Sequence, residues 1–281
     1  MSKRLLLGIA LACCALPARA QSEVRVWHAL DAAMAAQLER LVSDYNAEQI
    51  EFHVQLAPLP STGAKARRRL GLPLNTARPV LYYNRDAFRR AKLNAQAAPN
   101  TWYEMAGVLG TLAEAGEPCA YTTAWPAWVL LENSGGAFSR QLMVRWVSML
   151  ATWEKSGFFS YSGRANEAEA RFAAGECAVL TSSSASRSEL AKQAHFEIGV
   201  APLPYYDDAG IVSRALPAGA PSVWVERQSV GVTNFFAFLA TRAAQARRTR
   251  DLVESELEAV WRGDKTALEA LDAYSGKLKA Q

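Results

Sequence analysis

Two large aromatics three residues apart, Trp125 and Trp128 in the run Trp125-Pro126-Ala127-Trp128, are the side chains best suited to receive a small molecule. An indole face covers the C–H surface of a polyol or sugar, and its N–H donates to a hydroxyl or a phosphate oxygen. The same pair also suits the inside of a core, so both readings stay open at this point. Ser182, Ser183, Ser184 and Ser186 follow an apolar run at residues 177–181 and precede a helical pattern. Their hydroxyls, with the N–H groups of the helix start, suit an anion; ordinary N-capping accounts for one of them. His28, His53 and His195 are the only histidines, and none stands at metal-ligand spacing from a cysteine or an acid. No nucleophile elbow, phosphate-binding loop or dinucleotide fingerprint occurs, so nothing points to an enzyme, a metal or another cofactor.

The elements that must position these side chains read as interspersed strands and helices, an α/β class. Residues 24–27 form a strand, and after Asp31 as N-cap the apolar positions Met34, Leu38, Leu41, Val42 and Tyr45 recur at helical spacing. Residues 52–56 alternate like a second strand, which completes a βαβ unit. Residues 58–73 break the pattern with proline, glycine and basic side chains and predict irregular structure. Further strands are expected at 80–83, 177–181, 198–201 and 223–225. Helices are expected at 102–115 after Thr101, at 140–155, at 166–174 up to Gly175, from Arg187 and at 233–246. Leu257, Val260 and Trp261 make one more helical stripe, ended by Gly263, and Thr266 caps a last helix.

At the N-terminus Lys3 and Arg4 precede an apolar run at residues 5–16 and then Ala18-Arg19-Ala20, the order of a secretory signal peptide cut before Gln21. Cys13 and Cys14 raise acylation as an alternative, although the residues before Cys13 make a poor lipobox. The expected location is outside the cytoplasm. Loss of residues 1–20 removes Lys3, Arg4 and Arg19 and no acid from the 31 basic and 27 acidic residues, leaving a nearly neutral chain. Such a balance gives no reason to expect nucleic acid or an anionic membrane as partner. The basic runs at 65–69 and 247–250 read as solvated faces or as a phosphate-attracting rim. Only Cys119 and Cys177 remain after processing; an oxidising compartment permits a disulfide between them, and two buried thiols are the alternative.

Six stretches carry a resemblance: VWHALDAAMAAQLERLVSDYNAE (26–48), PLNTARPVLYYNRDAFRRAKL (73–93), YTTAWPAWVLLEN (121–133), GFFSYSGR (157–164), FAAGECAVLTSSSAS (172–186) and ESELEAVWRGDKTALEALD (254–272). In this order the chain resembles the sn-glycerol-3-phosphate-binding periplasmic proteins of ABC importers, within extracellular solute-binding protein family 1. The resemblance implies an abbreviated periplasmic solute-binding fold of two α/β lobes with a hinge and the ligand between them. The lobe boundary is expected near residues 80–125, with the chain returning after about residue 220. A ligand-contacting serine of the family falls on Ala77, beside Thr76, and another falls on Ser183. The second glycine of a Gly-Gly pair falls on Ala220, after Gly219. Trp125 and Trp128 are present, and His28 in the first strand-helix loop is a further candidate.

Two blocks of the family have no counterpart, one near residues 56–71 that supplies a tyrosine and a glutamate, and one near 242–251 that supplies a tyrosine and the phosphate-pairing arginine. A bidentate arginine makes the strongest type of phosphate contact, so its absence weakens the expectation of tight binding. The function implied is delivery of glycerol-3-phosphate or a related small polyol or sugar, by a monomer, to inner-membrane ABC permease subunits. The alternative is an interaction or sensor protein that keeps the scaffold without the ligand.

Overall fold

The computed structural model describes residues 21–30, 32–59, 70–73, 77–133, 139–209 and 222–279. The expected export segment, the Asp31 cap, the basic run at 65–69, and the candidates Thr76, Gly219 and Ala220 lie outside those residues. The chain divides into two units, Met1–Pro73 with Pro221–Leu239 and Leu74–Ala220 with Ala240–Gln281. The chain passes from the first unit to the second after Pro73 and returns to the first at Pro221. β4 (Pro79–Asn84) finds both of its strand neighbours inside the second unit.

In the first unit β1 (Ser22–His28) and β2 (Phe52–Pro58) pair in parallel, with α1 (Ala32–Glu48) as the crossover that a parallel pair requires. Val24, Val26 and Trp27 of β1 are buried, as are Leu38, Val42 and Tyr45 at helical spacing on α1. The Asn46 side chain accepts from the Val54 N–H and donates to the Val54 carbonyl, both at 2.9 Å, which ties the helix to β2. β8 (Ser222–Val225) runs antiparallel to β1 and to β3 (Leu70–Pro73), giving the order β2-β1-β8-β3. Residues 70–73 are thus a strand where composition predicts irregular structure, because pairing with β8 supplies backbone partners that local propensity does not register. The helix α8 (Val230–Trp261) begins in this unit, where Tyr45 meets Phe235 and Phe238 edge-on at 5.1 and 5.3 Å.

The second unit holds a sheet of order β5-β6-β4-β7, with β5 (Cys119–Thr123), β6 (Cys177–Ser183) and β7 (Ile198–Pro202). β5 and β6 are parallel, whereas β4 is antiparallel to both β6 and β7. Around the sheet stand α2 (Arg85–Arg90), α3 (Trp102–Glu114), α4 (Pro126–Asn133), α5 (Arg140–Lys155), α6 (Glu167–Ala173), α7 (Arg187–Gln193), the end of α8, and α9 (Ala267–Lys279). Trp102, Trp146 and Trp153 share one core with Tyr121 and Phe159 and with Val253, Leu257 and Leu271 from the C-terminal helices. The buried hydroxyls of Tyr121, Thr181 and Thr123 form a chain with 2.8 Å links, so the polar residues of β5 and β6 are paired inside the sheet. Cys119 stands directly opposite Cys177 with Cα atoms 4.4 Å apart, and a disulfide joins them.

Local signals set several boundaries. Thr101 Oγ1 accepts from the Glu104 N–H at 3.1 Å while Glu104 accepts from the Thr101 N–H, a reciprocal cap at the start of α3. Thr266 and Glu269 repeat it at α9. The helix expected at 233–246 and the stripe at 257–261 are one helix of 32 residues, since no glycine or proline between them interrupts it. Gly199 of β7 lies across from Tyr83 of β4, and a Cβ there would stand 2.1 Å from the tyrosine ring. Gly199→Ala is accordingly expected to lower unfolding free energy by about 1–3 kcal/mol in urea titration; an unchanged midpoint would mean that the ring swings aside freely.

Candidate functional site

Ligands of open α/β sheets gather where parallel strands end at their carboxyl side. In the second unit those ends belong to β5 and β6, and they lead respectively into Trp125 and into Ser183. Ala77 adjoins this end as well, because Arg78 and Ser184 are bonded across it: the Arg78 N–H donates to Ser184 Oγ at 3.1 Å and the Ser184 N–H to the Arg78 carbonyl at 2.7 Å. Three of the predicted residues, Ala77, Trp125 and Ser183, therefore stand at one end of one sheet. His28 occupies the corresponding end of β1 in the first unit, buried, with Nδ1 accepting from the Leu30 N–H at 3.4 Å.

The Trp125 backbone adopts a left-handed conformation with φ 53°. A bulky side chain with such a φ costs roughly 1–3 kcal/mol and persists only where its surroundings hold it. Three contacts do so. The Trp125 N–H donates to the Ala165 carbonyl at 2.8 Å, and the Trp125 carbonyl accepts from the Val129 N–H at 3.0 Å as the first bond of α4. Pro126 follows at the first helical position, where its missing N–H has no partner to lose. Finally the Ala127 N–H donates to Glu254 Oε1 of α8 at 2.7 Å, so a carboxylate from a distant helix caps α4. The result leaves Trp125 at 40% exposure. Trp128 differs: it is only partly exposed and packs against the large core of this unit.

The serine turn is committed to internal bonds more fully than its composition predicts. Ser182 and Ser186 both donate to Glu169 of α6, the second at 2.6 Å. Ser184 Oγ accepts from Arg78 as above, and Ser183 Oγ accepts from the Ala185 N–H at 3.2 Å. The Tyr82 hydroxyl donates to the Ser183 carbonyl at 2.7 Å. Burial, reinforced by the Glu169 carboxylate, raises Tyr82 above the ordinary tyrosine range and keeps it a donor. Of the run, Ser183 and Ser184 each accept from a backbone N–H and keep the hydroxyl hydrogen for donation, and Ser183 remains half-buried at the strand end. Holding an anion by all four serines at once does not fit this arrangement, because Glu169 draws Ser182 and Ser186 toward α6.

Glu169, Arg164 and Glu254 escape a reading of the sequence. Glu254 and Glu258 lie four apart on α8, a spacing visible in the residues, but their partners lie more than 90 positions away. Among the described residues no group of three or more His, Cys, Asp or Glu could hold a metal, and no helix is long and apolar enough to cross a membrane. A cavity of about 460 Å³ in the first unit, lined by Ser22, Arg25, Phe52, Glu226 and Gly231, lies at the amino ends of β1 and β2, opposite to His28.

Residues 26–246 match the family model of the bacterial extracellular solute-binding protein. Among relatives, the chain is 34% identical over 203 residues to the sn-glycerol-3-phosphate-binding periplasmic protein UgpB of Yersinia enterocolitica, covering 63% of this chain and 46% of that protein. UgpB of Salmonella typhimurium is 35% identical over 205 residues, covering 64% and 47%. The chain spans about half the length of the curated relatives it matches. Among solved structures, UgpB from Mycobacterium tuberculosis in complex with glycerophosphocholine is similar with a TM-score of 0.54 at 12% identity, over 92% of this chain and 98% of that one. The cyclic alpha-maltosyl-1,6-maltose binding protein from Arthrobacter globiformis is similar with a TM-score of 0.53 at 15% identity and the same two coverages. Likeness at that level of identity establishes a shared fold.

Proposed function

The chain belongs to the bacterial extracellular solute-binding protein family, and from that membership we propose that it is the periplasmic solute-binding component of an ABC importer, taking glycerol-3-phosphate or a related small polyol or sugar. The observation that carries the reading is Trp125, an exposed indole on a strained backbone at the carboxyl end of a parallel strand pair. Strain held in place by three separate contacts is economical when the side chain it presents has work outside the core. Ser183, with a hydroxyl hydrogen to donate, and Ala77 stand at the same sheet end, and Trp128 anchors the segment from below. His28, at the end of β1 in the first unit, and Thr76, Gly219 and Ala220 are contact candidates on resemblance alone. The partners in this reading are a small polar solute and inner-membrane permease subunits, with the protein acting as a monomer without nucleic acid and without catalysis.

The names of the relatives support phosphorylated glycerol as the first ligand to try. Calorimetry of the purified protein with sn-glycerol-3-phosphate is expected to give a Kd weaker than about 1 μM, equivalent to about −8 kcal/mol, because no arginine stands where the family pairs phosphate. A tighter value would overturn the weight given to that arginine. Glycerophosphocholine and maltose serve as the companion ligands. A second reading, an interaction or sensor protein on the same scaffold, is favoured by the serine turn, where Ser182 and Ser186 already donate to Glu169. Absence of heat and of any thermal shift with all three ligands at millimolar concentration would decide for it.

A further inference from the structure

The carboxylate of Glu254 is the one acidic group among the buried polar side chains of the described residues that keep an atom without a partner. The residue is 5% exposed, its Oε1 receives the Ala127 N–H, and its Oε2 has no hydrogen-bond partner among the described residues. Four residues further along the same helix, Glu258 accepts from Arg164 Nε at 2.6 Å and from the Tyr161 hydroxyl at 3.1 Å. Arg164 precedes Ala165, whose carbonyl holds the Trp125 N–H. One face of α8 thus grips the Trp125 backbone from both sides: Glu254 through Ala127, two residues after it, and Glu258 through the segment that Trp125 leans on.

We propose that Glu254 is a positioning residue for ligand binding, its buried charge fixing the first turn of α4 so that the Trp125 indole meets a ligand in one orientation. The proposal rests on Trp125 being a ligand contact. An uncharged group at this place would still accept from Ala127, but without the charge-dipole attraction that a carboxylate has for a helix N-terminus. Burial pushes the Glu254 carboxyl up to about 7; the Ala127 N–H and the Arg164 guanidinium draw it down, while Glu258 and Asp251 push it further up. The grip therefore relaxes as pH falls through about 7. Folding stability has the opposite slope: a pKa raised from 4.5 gives stability that is present below the unfolded value and is lost as pH rises through about 7. A purely structural carboxylate would show that stability slope and leave Trp125 unmoved.

The test follows the indole N–H resonances of Trp125 and Trp128 in the full chain from pH 5.5 to 8.5, assigned with Trp125→Phe and Trp128→Phe. The wild-type Trp125 resonance is expected to titrate with a midpoint near 7, to stop titrating in Glu254→Gln, and to titrate again in Glu254→Asp. A wild-type resonance insensitive to pH overturns the proposal without needing any variant to fold. With sn-glycerol-3-phosphate or maltose as probe, Glu254→Gln is expected to weaken affinity by about tenfold at pH 8, the difference between a charged and a neutral acceptor. Equal affinity of both proteins at pH 8 overturns the proposal too. If the Trp125 resonance titrates as expected and neither probe binds wild type, the grip stands and the assignment of Trp125 as a ligand contact fails.

Discussion

Replacing both Cys119 and Cys177 by alanine is expected to lower the free energy of unfolding by about 4 kcal/mol. The bridge closes a loop between residues 58 positions apart, and cutting it returns to the unfolded chain the freedom that such a loop excludes. Both cysteines are buried, at 1% and 0% exposure, on strands already paired in register, so alanine leaves the hydrogen bonds between β5 and β6 in place. The effect therefore acts mainly through the unfolded state. Urea unfolding of the double variant and wild type, with slopes compared, measures it; a loss below about 1 kcal/mol would show that the unfolded chain keeps these strands close without the bridge. Reductant alone, without denaturant, is expected to leave the bridge intact because neither sulfur is reachable in the folded protein. β5 is an edge strand and runs directly into Trp125, so the double variant is also expected to protect the Thr123 amide less from hydrogen exchange.

Trp102→Ala is expected to cost about 3–5 kcal/mol, and Trp125→Gly a change within about 1 kcal/mol in either direction. The first indole is fully buried, with the rings of Trp146 and Trp153 centred 6.2 and 6.3 Å away and those of Tyr121 and Tyr206 both at 6.5 Å. Removing it opens a cavity among rigid neighbours that cannot close around the gap. At Trp125 the lost contacts of a partly exposed ring are offset by relief of a positive φ, which glycine adopts without penalty. Melting temperatures separate the two cases, since a loss of this size in a protein of this length shifts the midpoint by about 10 °C. A large fall in Trp125→Gly would make its indole a structural group and remove the main support for a ligand role.

Much of the architecture is written in short-range pattern. Residues 140–155 carry an apolar stripe at helical spacing and fold as α5 with those bounds, while the Thr101 and Thr266 caps can be read from residue types three apart. Gly175 and Gly263, with φ of 78° and 77°, end their helices as a residue without a Cβ can. Within the sequence alone, too, lie the six stretches that carry the family resemblance and the segments that hold Trp125 and Ser183. β5 is different: Cys119–Thr123 is only five residues, two of them threonines, and alternates no more clearly than a loop. Its strand state comes from β6 beside it, and the disulfide follows from the register of that pair.

The same division runs through the site. That two tryptophans stand three apart and that serines cluster after a strand is a matter of residue type and order, readable in sequence. Which tryptophan faces outward, and which serines are already spent on Glu169, depends on partners brought together by the fold. Glu254 shows why: its distance to Ala127 along the chain is 127 residues, and its distance in space is one hydrogen bond of 2.7 Å. Local periodicity carries information over a turn of helix or a pair of strand residues, whereas a buried carboxylate takes its charge state and its role from whatever the tertiary structure sets against it.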